Sequence, residues 1–436
     1  MLAFRDFPGH VKLMLLTARS PLTSSEVEQI RQLADGEPGL GRVGWDEFLG
    51  VTAHHRISSL VYENLEQVKP VGMPAYVREE LRVRARLNAM EALRAVVEIH
   101  TITERFAAAG IGITVLKGVP LSNVLFGNPN ARHVGDIDML VAEGRLTEQM
   151  ELLDELGYSR INPPGKLTTR RLESYVAFWK DFTFAKRESD FELDLHWRLF
   201  NNRFHAANAM VQQAEYTSME VHGVAMRVFS LRDQFIYIAA HGIADAWTYL
   251  KSLADVGAFL KVFTQEELEG ALARSEELGV LPQISAAIHL SNDWMGTRAA
   301  SEKLLPATDS IAKDVRARTT ESLLRHNFRP HRSHTSPAKW LGLEFALVPG
   351  LRSFLEMAMR FVWRPRIWSR VDLPDRLFWA YPVVGLLMLP RNQTMVDHES
   401  GFPLVAAGQS QAAPRTPLES PKVAGTSGVS KSPPKI

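Results

Sequence analysis

Two aspartates one residue apart, in Gly135-Asp136-Ile137-Asp138-Met139-Leu140-Val141, are the group in this chain best suited to chemistry. Side chains on a strand alternate between faces, so Asp136 and Asp138 would point one way while Ile137, Met139 and Val141 enter a core. Two carboxylates at one spot repel each other unless a cation sits between them. Hard oxygen ligands in such a pair suit magnesium, which keeps the rest of its shell for water and phosphate oxygens. A second run, Phe191-Glu192-Leu193-Asp194-Leu195-His196-Trp197, alternates in the same way, with Glu192, Asp194 and His196 opposite Phe191, Leu193 and Leu195. If the two strands are neighbours, Asp194 completes a three-carboxylate cluster of the kind that two-metal phosphoryl or nucleotidyl transfer needs. The plainer alternative is that Asp-x-Asp decorates a half-exposed strand, a common spacing.

Upstream, Val115-Leu116-Lys117-Gly118-Val119-Pro120 reads as a strand running into a glycine and then a helix. Exposed amides and a helix start at such a junction can hold a phosphate, with Lys117 as a point charge; equally, the glycine serves only a turn. Arg132 and His133, just before the acidic strand, are placed to touch a triphosphate or a leaving pyrophosphate, Arg132 being the better candidate. The alternative for both is a solvated loop with a salt bridge to a nearby acid. His196 either orients a ligand, acts as a base, or packs against Trp197. Glu192 is a spare carboxylate or surface. His241 and Asp255 fall on separate predicted helices, where a packing role or an acceptor pocket are both open.

The elements that must position these residues follow from periodicity. Residues 1–109 are predicted to be a helical lead-in, with apolar positions recurring at three- and four-residue intervals. From 110 to 229 the period shortens: Ile111, Ile113 and Val115 alternate, and strand-like runs at 136–141, 182–186 and 191–197 predict an α/β core, the last two joined as a hairpin. Helices are expected at 121–126 and at 146–156, the second stopped by Gly157. Helical spacing returns from 230 to 328, with Ser230 as an N-cap and a helix at 249–262. Residues 329–391 read as a hydrophobic helical region opened by a linker at 329–337. The stretch 392–436 has too little apolar surface to offset ordering entropy and is expected to be disordered.

Composition sets the limits. With 436 residues, 45% hydrophobic and 23% charged, the chain has the profile of a folded protein of more than one packed unit. Lys+Arg 50 against Asp+Glu 49 leaves a net charge of +1, so no global basic field recruits nucleic acid, and any polyanion binding has to be local. The absence of cysteine excludes disulfides, thiolate zinc sites and cysteine nucleophiles, and fits a reducing, cytoplasmic setting. The amino terminus lacks the apolar core of a signal peptide. The apolar run 377–390, broken by two prolines and a glycine, falls short of the roughly 20 residues a spanning helix needs. Arginines interleaved with aromatics over 363–379 leave a membrane-surface contact or an acceptor groove open beside plain helical core. Histidines 326, 331 and 334 lie among prolines and serines and are assigned no function.

The series Leu-Lys-Gly at 116–118, Arg132 ahead of Asp-Ile-Asp-Met-Leu-Val, Leu-Asp-Leu-His-Trp at 193–197, Ala-Ala-His ending at His241, Trp247, and Leu-Ala-Asp-Val at 253–256 resembles a bacterial nucleotidyltransferase family often found among polysaccharide genes. Ala-His-His-Arg-Ile-Ser-Ser-Leu-Val at 53–61 resembles its amino-terminal helices. The likeness runs from about Glu47 to Phe263. It implies an α+β fold, a small mixed-sheet core with helical N-terminal and C-terminal additions, as in the polymerase beta-like superfamily. By that resemblance Asp136, Asp138 and Asp194 are the metal ligands. The catalytic reading expects two magnesium ions there, and expects Lys117, Gly118 and Arg132 to contact a nucleoside triphosphate such as ATP. The acceptor stays open among a sugar, a glycan precursor, a small molecule and a protein. One departure stands out: the superfamily usually places Gly-Ser at the turn before the acidic strand, and this chain has Lys117-Gly118. A catalytically silent nucleotide- or partner-binding module of the same fold is therefore the alternative reading.

Overall fold

The structure, a computed structural model, describes residues 4–187, 191–245, 247, 249–306, 310–324 and 347–388. The predicted linker at 329–337, the histidines at 326, 331 and 334, and the tail from 392 lie outside the described residues.

The chain begins with helices α1 (Gly9–Thr17), α2 (Ser24–Ala34), α3 (Trp45–His54), α4 (Ser58–Val68) and α5 (Ala75–Ala108). Thr23 and Glu26 cap α2 reciprocally, each side chain taking the other's backbone N–H, so the helix starts one residue before the apolar stripe suggests. α5 runs for 34 residues, about 50 Å at 1.5 Å per residue. Its buried residues Val77 and Leu81 belong to one apolar core, and Ala92, Ala95, Val96, Ile99, Ile102 and Phe106 to a second, so this one helix joins the two.

The sheet follows: β1 (Thr114–Val115), α6 (Val119–Phe126), β2 (Asp136–Leu140), α7 (Leu146–Glu155), β3 (Tyr158–Asn162), α8 (Thr169–Phe178), β4 (Asp181–Lys186) and β5 (Glu192–His196). The strand order is β1-β2-β5-β4-β3. β2 and β5 are parallel, and the other neighbouring pairs are antiparallel. The expected pairing of β4 with β5 is present, Phe184 standing opposite Leu193. β1 is shorter than the alternation at Ile111 and Ile113 predicts. Both residues are buried, but the chain there is still leaving α5, with the Ile111 N–H on the Phe106 carbonyl at 2.9 Å, and only Thr114 and Val115 reach the ladder.

One face of the sheet is apolar. Tyr175 of α8 stacks on Phe182 with ring centroids 5.2 Å apart, and Phe182 meets Trp197 at 4.7 Å. This packing fixes register: a slip of one residue would carry Leu193, Leu195 and Trp197 to the polar side.

After a single-turn helix α9 (Met210–Gln213) come the hairpin β6 (Tyr216–Val221) and β7 (Val224–Phe229), and then α10 (Leu231–Ala244), α11 (Leu250–Val262), α12 (Gln265–Glu277), α13 (Leu281–Trp294) and α14 (Ser310–Leu324). Ser230 caps α10 by accepting the Asp233 N–H, and Tyr249 stands at the N-cap of α11, both as expected. α10 to α13 share their core with α1 to α4, so helices before and after the sheet in sequence form one body. A buried ionic network clamps it: Glu26 takes Arg19 at 3.2 Å and Lys261 at 2.9 Å, and Arg19 also donates to the Trp294 carbonyl at 2.9 Å.

The last described helices are α15 (Leu351–Val362), α16 (Pro365–Arg370) and α17 (Tyr381–Leu387). Arg171 of α8 anchors this region through Asp372, the Leu373 carbonyl at 3.0 Å and the Tyr381 hydroxyl at 2.9 Å. Leu351, Phe354, Leu355 and Trp379 are exposed. Among the described residues no helix is long and apolar enough to cross a membrane.

Candidate active site

The two acidic strands are neighbours, and their register carries the site. Asp138 stands beside Asp194 and Asp136 beside Glu192, in the parallel β2/β5 pair. Ile137, Met139, Leu193 and Leu195 occupy the opposite, buried face, so alternation and strand adjacency together bring the carboxylates to one side. Asp181 of β4 lies across from His196 and joins that side.

His196 is buried among carboxylates. Its Nε2 is 3.1 Å from Asp138 Oδ1 and its Nδ1 is 3.6 Å from Asp181 Oδ2. Of the roles open to it, orientation of a ligand-bearing carboxylate is the one its geometry serves. Asp138, Asp194 and His196 each offer one donor atom, and the three atoms lie within 4.8 Å of one another. Asp136 stands outside that tightest group. The expected trio of aspartates is therefore drawn together, with His196 inserted into its inner circle.

Lys117 is the counter-charge. Its buried ammonium is 3.2 Å from Asp136 Oδ2 and 2.9 Å from Asp138 Oδ2. Burial alone would lower its pKa, but Asp136 and Asp138 outweigh that and hold it well above the usual lysine range. Gly118, at φ 90° and ψ −133°, turns the chain from β1 into α6, a conformation that side chains with a Cβ rarely adopt. The glycine lets the chain turn into α6 directly after Lys117, whose side chain reaches the carboxylates.

Charge is unevenly distributed among the acids. Burial raises Asp136, but Lys117, Lys251, Arg56 and Arg132 overcome it and hold Asp136 well below its usual range. Asp138 is likewise brought to about 2, burial being outweighed by Lys117. Asp194 is pushed the other way, well up, by burial and then by Asp181 and Asp138. Glu192 rises to about 7 through burial and Asp136. Lys180 pairs with Asp181 by direct contact, and its charge also acts on Asp194 without reversing the rise there.

These residues fit a divalent cation. Asp194 has a buried carboxyl, raised by its acidic neighbours, and it takes no hydrogen bond among the described residues. A cation next to Asp138 and Asp194 would relieve that excess of negative charge, and oxygen donors from two aspartates suit a hard metal.

Arg132 has a different setting from the carboxylates. Its Nε is 2.9 Å from Asp255 Oδ2 on α11, and both side chains are almost wholly buried, 3% and 1% exposed. The two residues singled out separately in the sequence are thus one buried ion pair, tying the loop before β2 to the helical body. Asn88 of α5 braces the same loop, donating to the carbonyls of Asn130 at 2.7 Å and Arg132 at 3.1 Å and accepting the Val134 N–H at 3.0 Å. His241 lies at the edge, with Nδ1 3.2 Å from Asp245.

Residues that sequence reasoning did not single out complete the site: Asp181 and Lys180, Asn88, Arg56 and Lys251. Asp181 was within reach of a parity argument, since an antiparallel hairpin places it on the face of His196. Asn88 and Lys251 come from helices distant in sequence, with no local pattern to mark them, and Arg56 from the turn after α3, inside the 53–61 segment, which reads in sequence only as part of a helical lead-in.

A mixed sheet bearing two aspartates on one strand and a third in register on the parallel neighbour is the core of a nucleotidyltransferase. The chain belongs to the family described as uncharacterised nucleotidyltransferase, whose model matches residues 41–296, more than half of its length. Among solved structures it is similar to an antigenic nucleotidyltransferase-like protein from Paracoccidioides brasiliensis. The identity is 14%, the match covers 46% of this chain and 96% of that one, and the TM-score is 0.27. No curated protein matches the sequence.

Proposed function

We propose that this protein transfers a nucleoside monophosphate from a nucleoside triphosphate to an acceptor hydroxyl. The observation that carries this is the register of Asp138 beside Asp194, which with His196 gathers three donor atoms within 4.8 Å. Asp136, Asp138 and Asp194 would hold two magnesium ions, with His196 fixing the rotamer of Asp138 through its 3.1 Å contact. When bound, the metal supplies Lewis-acid activation of the attacking oxygen and neutralises triphosphate charge.

The chain's own residues do the rest. Asp194, in register beside Asp138 on the parallel neighbour strand, is positioned to take the proton of the acceptor hydroxyl. The acceptor oxygen forms its bond to the α-phosphorus as the bond from that phosphorus to the bridging oxygen breaks, and pyrophosphate leaves with the bonding pair. Lys117 and Gly118 stand at the turn on the nucleotide side. Arg132 adds its charge from behind Asp136 while its Nε stays on Asp255. A sugar or lipid-linked glycan precursor, as in polysaccharide biosynthesis, is the acceptor class we favour, in a cytoplasmic setting. The exposed Leu351, Phe354 and Leu355 of α15 would suit peripheral contact with a membrane carrying such an acceptor.

A second reading rests on Lys117. An ammonium already seated against both Asp136 and Asp138 supplies a built-in cation, as a catalytically silent nucleotide-binding module of this fold would have. Incubation with each labelled triphosphate and magnesium separates the two. Transfer of label by the wild type and its loss in Asp138→Ala is expected. If neither metal nor nucleotide raises the melting temperature and Asp138→Ala behaves as wild type, the enzyme reading fails.

A further inference from the structure

At the start of β2, beside Gly135 and Asp136, the site changes sign. Lys251, in the first turn of α11, is 8% exposed and donates no hydrogen bond among the described residues. Burial, then the nearby charge of Arg132, brings its amine down to about 7, and the attraction of Asp136 does not compensate. Arg56 reaches the same place from the turn after α3. Its backbone is left-handed at φ 57°, a conformation costing about 1–3 kcal/mol for a side chain of this kind and retained where the surroundings demand it. Its guanidinium carbon lies 4.3 Å above the Tyr249 ring, and the Leu250 N–H donates to His55 Nδ1 at 3.3 Å, so the Arg56 turn is fastened to the start of α11. A Cβ placed on Gly135 would be 3.3 Å from His133 Nε2 and 3.9 Å from Arg56 Nη1, which locates both beside the residue preceding Asp136. His133 is brought to about 3 by burial and then by Lys251 and Arg56, the mark of positive charge gathered in a dry space.

The charges of Lys117 and Arg132 are already matched, by Asp136 with Asp138 and by Asp255. Lys251 has no such match. On the β5 side stand the carboxyl groups of Asp194 and Glu192, in register with Asp138 and Asp136. Cations thus gather at the start of β2, beside Gly135, and the carboxyl groups of Asp138 and Asp194 lie further along the strand pair. A metal–polyphosphate chelate has the same polarity, its metal seeking carboxylates and its phosphate oxygens seeking cations.

We propose that Lys251, with Arg56 and His133, forms the anion pocket for the terminal phosphates of the triphosphate, taking over from the Gly-Ser turn that this chain replaces with Lys117-Gly118. The pocket is supplied by the turn after α3, the loop before β2 and the first turn of α11, and its occupant is a polyphosphate, either the tail of the nucleotide or the pyrophosphate that leaves. The proposal rests on the nucleotidyl-transfer reading, and its test separates the two.

Binding of inorganic tripolyphosphate to the full-length protein, without divalent metal, is measured by calorimetry for wild type, Lys251→Met and Arg56→Gln. Wild type is expected to bind, and each variant to bind about thirtyfold more weakly or worse. Because Lys251→Met removes a buried, unmatched charge, its ligand-free melting temperature should equal or exceed that of wild type, which a merely structural lysine would not allow. Absence of tripolyphosphate binding by wild type, or unchanged binding by a folded Lys251→Met, overturns the pocket. If the variants lose tripolyphosphate and no triphosphate is ever consumed by wild type, the pocket stands and the transfer reading falls. If label is transferred and Lys251→Met keeps the wild-type KM for triphosphate, the pocket falls alone.

Discussion

Replacing Asp194 by asparagine should stabilise the metal-free protein while abolishing its response to magnesium. Asp194 and Asp138 present donor atoms within 4.8 Å of each other, in a buried setting that Asp181 makes more acidic. Two unit charges at that separation interact by about 3.5 kcal/mol at an effective dielectric of about 20. Lys117 and Lys180 offset part of this, as does protonation of Asp194 itself, leaving a net relief of about 1–2 kcal/mol when the carboxylate becomes a neutral amide of the same shape. At roughly 2 °C per kcal/mol for a chain of this size, Asp194→Asn should melt about 2–4 °C above wild type in chelator. Magnesium at a hundredfold excess over its dissociation constant should raise wild type by about 2.7 kcal/mol and leave the variant unmoved. The two melting curves therefore cross as metal is added. Differential scanning fluorimetry with and without magnesium reads both limbs. A folded Asp194→Asn that melts below wild type in chelator, or that gains as much from magnesium as wild type does, refutes the reasoning.

Two further predictions concern the scaffold. Asp255→Ala leaves Arg132 buried without its partner and should cost about 3–5 kcal/mol in urea unfolding, while the Arg132→Met/Asp255→Ala double variant recovers much of it; a loss below about 1 kcal/mol for the single variant contradicts the pair. Glu63, whose partner is Asn128, is raised by burial to about 7. Such a group contributes stability that is full below the unfolded carboxylate value and is lost as pH climbs through about 7. Glu63→Gln should thus match wild type near pH 4.5 and melt above it at about pH 9, and a gap that fails to widen with pH counts against this.

The legible part of this fold was what strand parity dictates. Asp136, Asp138, Glu192, Asp194 and His196 could be assigned to one face because period-2 alternation sets apolar residues opposite them, and the hairpin of β4 and β5 followed from two alternating runs. That β2 and β5 would be parallel neighbours was not in the pattern, since adjacency depends on how the segment between them, with two helices and two strands, crosses back. Parity also assigned no partners. Lys117 could be seen as a cation at a glycine turn, but its commitment to both aspartates depends on the folded sheet that sets its end of β1 beside β2. Arg132 and Asp255 were each visible, yet their union spans 123 positions and leaves no periodic trace. Asn88, an amide within a long helix, carries no signal until the loop it braces is in place.

The polarity of the site explains why a small sheet of this kind carries so much helix. A strand pair can gather carboxylates by itself, because register does that work. The sheet region supplies one close counter-charge to β2, Lys117, and Asp136 with Asp138 already claim it. Further cations beside β2 come from outside the sheet, on the turn after α3 and on the first turn of α11. Those two segments are in contact through Tyr249 and His55, and α11 is held to the loop before β2 by the Arg132–Asp255 pair. The shared core of α1 to α4 with α10 to α13 is then more than bulk: it holds the helices that carry Arg56 and Lys251 in one body. On this account the helical segments flanking the sheet are parts of the active site, and the sheet alone would hold the metal side of the reaction without the phosphate side.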